Sequence, residues 1–304
     1  MDLSGQGRGA PIIAILCACV ATVLGLAYMA MGGAPGRYLM INAGALAFGL
    51  VALAILALAD RRGHLAAGPV NMSLGLILLA TSVWGVTGGE VTRWLALGSL
   101  IVQPSLMAVP LMAVLFARSR DTLSLAGVVL AALALALQPD RGMAGALATA
   151  LAVLALVRPH PVVLTAAAAA GVGFGVTLVR ADRSPAMPFV DQILYSSFDI
   201  HPLAGTAVVL GLALLVLPVL AAIRADPIER SAYAVFGAVW AGIIAAAALG
   251  NHPTPLVGYG GSAVVGYLLS LIVFRRRAPE RSRSAVGKAE NPERDGPALY
   301  AARS

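Results

Sequence analysis

Charge is what this sequence has least of. Asp, Glu, Lys and Arg together make up 12% of its 304 residues, against about a quarter in a soluble domain. Hydrophobic residues make up 59% and mean hydropathy is +0.87. An ordinary water-soluble globule is thereby excluded. Cysteine is nearly absent too: Cys17 and Cys19 are the whole complement. Two positions apart on one helix, they point away from each other, which argues against a disulfide or a metal site. Sustained apolar–polar alternation is missing, so a membrane barrel is excluded. No internal repeat is visible. No G-K-[ST] follows a glycine cluster, and no H-E-x-x-H, nucleophile elbow or Cys/His metal spacing occurs.

What the chain has instead is long runs without charge, each able to cross a ~30 Å hydrocarbon core as a helix. Ten spans are expected, at about 11–31, 39–59, 65–86, 96–117, 122–137, 142–157, 162–179, 202–223, 230–249 and 259–274. The expected fold is an all-α polytopic membrane protein. With the N-terminus inside, 16 of the 21 Lys and Arg residues fall on the cytoplasmic side and 5 on the outer side. That bias puts both termini in the cytoplasm. Eight of the 16 lie in the tail after Phe274, which carries much of the orientation. The organisation is then a cytoplasmic N-terminus, 1–10, a membrane domain, 11–274, and a basic polar tail, 275–304, with the composition of a disordered segment. The net charge of +7 sits largely in that tail. Arg275, Arg276 and Arg277 abut a span, which points to membrane lipids as partners and not to nucleic acid.

Polar residues interrupt the apolar background in four places. In "GGEVTRWLALGSLIVQPS", Arg93 and Trp94 mark an outer boundary, and Gln103, Pro104 and Ser105 fall inside the next run. Composition alone reads this as an anchored helix kinked at Pro104. In "LQPDRGMAGA", Gln138, Asp140 and Arg141 sit at an outer turn, where an acid–base pair is by default solvated. The one long connection, 180–201, lies outside and carries Asp182, Asp191, Asp199 and His201 among amphipathic residues. The fourth place is "NHPTPLVGYGGS". Its "VGYG" lacks the preceding pore helix of a potassium filter. Pro253 and Pro255 set a bend before the last span, with Tyr259 and Ser262 as polar groups and Gly258, Gly260 and Gly261 allowing close approach. His64, His160 and His252 fall at span ends, where solvation accounts for them.

Taken in order, three of these stretches resemble the SEDS family (FtsW, RodA and SpoVE). "RWLALGSLIVQPS" is similar to the family's R-W-I-x-L-G…Q-P-S-E, "QPDRGMA" to Q-P-D-L-G-T-A, and "TPLVGYGGSAVVGYLL" to L-P-F-I-S-Y-G-G-S-S-L-L. The resemblance runs from about Gly88 to Phe274. It implies a ten-helix glycosyltransferase of the bacterial inner (cytoplasmic) membrane, active in division or elongation. Such a protein polymerises undecaprenyl-linked lipid II on the outer face, beside a penicillin-binding-type transpeptidase, with help from a divalent cation. The catalytic base implied is an Asp of the outer loop, here Asp191 or Asp199. Arg93, Trp94, Gln103, Ser105, Gln138, Asp140, Arg141, Tyr259, Gly260, Gly261 and Ser262 would line the cavity or its rim. The sequence departs from the family at Leu106 and Val109, which stand where Q-P-S-E-x-x-K has its Glu and Lys, and at Arg141, which replaces a Leu. The outer loop is also shorter. Two other readings stand beside this one: a SEDS-like scaffold or lipid-precursor binder without catalysis, which the missing Glu and Lys favour, and an unrelated ten-span transporter or lipid flippase, against which the matched motifs argue. The second lacks the central ionisable pair a proton-coupled carrier tends to have.

Overall fold

A computed structural model describes residues 6–61, 65–88, 91–98, 100–180, 185–224 and 227–274. His64, Asp182, the first five residues and the tail after Phe274 lie outside the described residues.

The chain is a bundle of apolar helices. Among the described residues, six helices are long and apolar enough to cross a membrane: α1 (Gln6–Met31), α2 (Gly36–Arg61), α3 (Ala67–Trp84), α7 (Pro161–Val179), α9 (Pro202–Val216) and α10 (Pro227–Leu249). Four shorter apolar helices join them: α4 (Pro104–Arg118), α5 (Thr122–Leu137), α6 (Arg141–Val157) and α11 (Gly261–Ser270). The short α8 (Ile193–Ile200) lies in the long outer connection. Helix α9 tightens into a 3₁₀ segment, Leu217–Arg224. Pro218 lies at that change, and it has no N–H with which to continue the α ladder. Helix α11 ends in a similar turn, Leu271–Phe274.

The fourth span differs from expectation. Residues 86–88, 91–97 and 100–102 form a three-stranded antiparallel sheet, β1 (Val86–Gly88), β2 (Val91–Leu97) and β3 (Leu100–Val102). Val86 pairs with Trp94, and Leu97 with Leu100. The segment Val91-Thr92-Arg93-Trp94 is rich in β-branched and aromatic residues, and Gly98 takes φ +63° at the turn, which glycine adopts without strain. The helix starts only at Pro104. A proline in the first helical turn lacks only an N–H that would have had no helical partner. Pro104 therefore opens α4 and does not kink it; the proline inside this helix is Pro110.

Almost all of α4 is buried, packed against α3, α6, α10 and α11. Between helices in lipid the hydrophobic effect is weak, so close backbone approach and dispersion hold them. Small residues supply that approach. Gly75 of α3 sits on the Gly127 carbonyl of α5, and Gly266 of α11 on the Leu106 carbonyl of α4. A Cβ on Gly242 of α10 would lie 2.9 Å from Ala146 Cα of α6. In contrast, α2 leaves Met40, Phe48, Val51 and Ile55 outward, as lipid-facing residues would be.

A side chain at Gly127 would meet the Asn71 backbone of α3, whereas one at Gly44 would meet nothing within 4 Å. Gly127→Val is therefore expected to destabilise the bundle by about 1–3 kcal/mol, the usual overpacking range. Gly44→Val should leave the detergent melting temperature unchanged. Equal melting of the two variants would contradict this packing.

Candidate functional site

The polar clusters that lie far apart in sequence meet at one end of the bundle, the end that the charge bias puts outside. Gln103 precedes α4 and Ser105 stands in its first turn, while Asp140 caps α6. Asp140 is 1% exposed. Its Oδ2 accepts from Ser105 Oγ at 2.7 Å and from Gln103 Nε2 at 3.0 Å, and its Oδ1 accepts from Met143 N at 3.3 Å. The Gln103 backbone N–H donates to Ser262 Oγ at 2.9 Å, which joins α11 to the group. A buried carboxylate needs such donors, because an unpaired one is strongly disfavoured in an apolar medium. Asp140 is thus not half of a solvated turn pair.

Arg141 points away from this cluster. Its Nη2 donates to the carbonyls of Arg180 (3.1 Å) and Thr177 (3.4 Å), at the end of α7. Arg180 returns the favour to α5, donating from Nη1 to Ala136 O at 2.9 Å and Leu137 O at 3.2 Å. Both arginines satisfy the last carbonyls of helices, where the helix dipole also favours a cation. Gln138 is buried and donates to Leu78 O at 2.6 Å, tying the end of α5 to α3. Arg141 and Gln138 thus brace the outer end by tying α7 and α3 to it.

The bend before α11 is pinned by a residue that the sequence did not mark. Asn42, buried in α2, donates from Nδ2 to Gly258 O at 2.8 Å and accepts from Gly260 N at 3.0 Å. Gly260 takes φ +148°, and Gly261 packs on Ala45 of α2. Tyr259 stacks on Tyr38, with centroids 3.7 Å apart. Burial and the neighbouring Tyr38 push its phenol up from the ordinary value, opposed by Arg37. An Asn in an apolar run is the only trace of this clamp in the sequence, since its partners lie more than 200 positions away.

The outer loop docks on the same bend. The Val190 carbonyl accepts from Thr254 N at 2.9 Å and the Phe189 carbonyl from Tyr259 N at 2.6 Å. The Phe189 ring packs against Tyr28 and Tyr38. Asp191 follows, half-buried, with Oδ2 accepting from Met187 N at 2.9 Å. Gln192 next to it donates to Asn251 Oδ1 at 2.7 Å. Asn251 precedes His252, which packs on Gly142 and lines a narrow crevice with Gln103, Leu106, Asp140 and Met143. That crevice has room for about one water molecule, ≈ 10 Å³. Asp199 stands apart, exposed on α8, two residues past the buried Ser197. Two residues turn a helix by about 200°, so Asp199 faces away from the packed side.

Arg93 is 3% exposed on β2, its guanidinium 4.6 Å from the half-buried Trp94 ring. The histidines are not merely solvated: His160 and His201 accept from the backbone N–H groups of Val162 and Leu203 and so cap α7 and α9. Among the described residues no three His, Cys, Asp or Glu side chains converge as metal ligands. Among the described residues, the divalent cation implied by the resemblance has no ready-made cluster of such ligands.

No protein-family model and no curated protein matches the sequence. Solved structures do. RodA of Thermus thermophilus, a rod-shape-determining protein, superposes with a TM-score of 0.66 at 20% identity, over 88% of this chain and 97% of that one. A point mutant of the same RodA gives 0.64 at 19% identity. A chain from a peptidoglycan synthase complex, described as coordinating polymerization and crosslinking, gives 0.57 at 21% identity, over 88% and 98%.

Replacing Asp140 by Leu leaves the Gln103, Ser105 and Met143 donors without their acceptor. The expected loss is about 1–3 kcal/mol, read as a lower denaturation midpoint in detergent. Unchanged stability would contradict the network. At this level of identity the likeness is one of architecture: the chain has the fold of RodA, that of a multi-pass, all-helical membrane protein.

Proposed function

We propose that this chain is a SEDS-family protein of bacterial cell-wall synthesis that polymerises lipid II on the outer face of the inner membrane. The observation that carries the reading is the convergence of the three motif stretches and the outer loop at one end of a RodA-like fold. Asp191 is the base in this account. It sits beside the bend and is joined through Gln192 and Asn251 to the rim of the crevice. Its carboxylate takes the proton from the acceptor sugar hydroxyl. The hydroxyl oxygen then bonds to the anomeric carbon of the donor, and the bond from that carbon to the lipid pyrophosphate breaks. The leaving pyrophosphate needs a cation to stabilise it, and Arg93 is the candidate that the family resemblance offers. Asp140, Gln103 and Ser105 hold the helix ends in place. The apolar outer faces of the bundle suit an undecaprenyl chain, and a penicillin-binding-type transpeptidase is the partner that fits such a role.

A second reading, a non-catalytic scaffold or lipid-precursor binder, is favoured by one observation. Leu106 lines the crevice and Val109 is fully buried, at the positions of the family's Glu and Lys. The deciding assay is polymerisation of lipid II by the purified protein, alone and with its cognate transpeptidase. Activity is expected, with Asp191→Ala lowering it by about 10²–10⁴-fold, the range of a lost general base, and Asp199→Ala leaving it within a few-fold. No glycan under either condition would establish the scaffold reading, and full activity in Asp191→Ala would remove that residue as base.

A further inference from the structure

The opposite end of the bundle holds a second polar recess, of about 600 Å³, lined by Arg120, Val157, Arg158, Pro159 and His160. It is formed where the α4–α5 turn meets the α6–α7 turn. Both guanidiniums belong to it, and among the described residues neither forms an ion pair. Arg158 caps the end of α6 through its backbone, and its Nη1 is buried with no hydrogen-bond partner. A buried, unsatisfied donor on a cation is costly unless something accepts from it.

The nearest acid in sequence is already engaged. The Asp121 carboxylate accepts from Ser119 Oγ, Ser124 Oγ and Ser124 N, as the cap of α5, and faces Gly68 of α3. Burial, with Arg158 beside it, pulls Arg120 below the ordinary arginine value. His160 uses Nδ1 to accept from Val162 N, which leaves Nε2 as the N–H donor of the neutral ring. Three donor groups thus share one recess. Exposed apolar side chains stand on the adjoining turns of α6 and α7: Leu156 is 83% exposed, Val157 46% and Leu164 52%.

We propose that this recess binds a phosphate-bearing anion through Arg120, Arg158 and His160. The exposed apolar residues on the adjoining turns point to the headgroup phosphate of an acidic lipid in the adjoining leaflet, its acyl chains lying along Leu156, Val157 and Leu164. Arginine forks suit phosphate oxygens, and juxtamembrane cations favour anionic lipid. The inference does not depend on the reaction at the other end of the bundle.

The test is lipid retention by the full-length protein in nanodiscs of phosphatidylcholine with about a fifth phosphatidylglycerol, read by native mass spectrometry. An Arg120→Gln, Arg158→Gln double variant should hold phosphatidylglycerol about tenfold less well than wild type, the loss of roughly one charge-assisted bond. Arg158→Lys should keep part of it. The basic tail is present in every form and contributes a common background. The double variant must melt with the wild type; if it does not, each single Gln variant carries the comparison. Equal retention by wild type and the folded Gln variants would overturn the site. Displacement of the lipid by millimolar inorganic phosphate, with no preference for phosphatidylglycerol left, would overturn the lipid assignment in favour of a soluble phosphate.

Discussion

The outer end of this molecule depends on one buried negative charge. Asp140 lies at 1% exposure in a bundle that offers almost no polar surface. A carboxylate there has to be given donors, and they come from the start of α4 and the first turn of α6. Ser105 and Gln103 fix the start of α4, Met143 fixes the first turn of α6, and Ser262 reaches the same group through the Gln103 backbone. Three helix beginnings are thereby held at one place. Removing the carboxylate would take the acceptor from the starts of α4 and α6 and leave α11 held only through the Gln103 backbone, which is why the residue acts first on architecture, whatever it does for chemistry.

Outside this knot the structure is held by close approach. Glycines let α3 meet α5 and α11 meet α4 at backbone distance, and arginines at the outer turns satisfy the last carbonyls of α5 and α7. These are two answers to one constraint. In lipid a helix gains little from burying apolar surface against another helix, so dispersion and satisfied polar ends decide the arrangement. Asn42 belongs to the same logic, since it clamps both a carbonyl and an N–H of the bend before α11.

Much of this was legible from sequence, for identifiable reasons. Uncharged runs mark the apolar helices because a span has to be continuous, and the three polar stretches stood out because polar residues are rare here. The hairpin at 86–102 was not legible as such. Its last part, from about residue 96, read as the start of a span, and Pro104 read as a kink inside that span although the helix begins there. Arg141 was read as a rim residue and Asp140 as its partner, whereas folding sends them to opposite sides of one turn. The Asn42 clamp and the Arg120–Arg158 recess depend on contacts between distant segments, which no local pattern encodes.

The account rests on the outer end being where a lipid-linked sugar is handled. Photocrosslinking with a lipid II analogue carrying a diazirine on its sugar addresses this directly in nanodiscs, without requiring turnover. Labelled peptides should come from residues 103–106, 140–143, 187–192 and 250–256, with labelling competed away by unmodified lipid II. Labelling confined to the turns at 119–121 and 158–160, or labelling that unmodified lipid II does not compete, would contradict it.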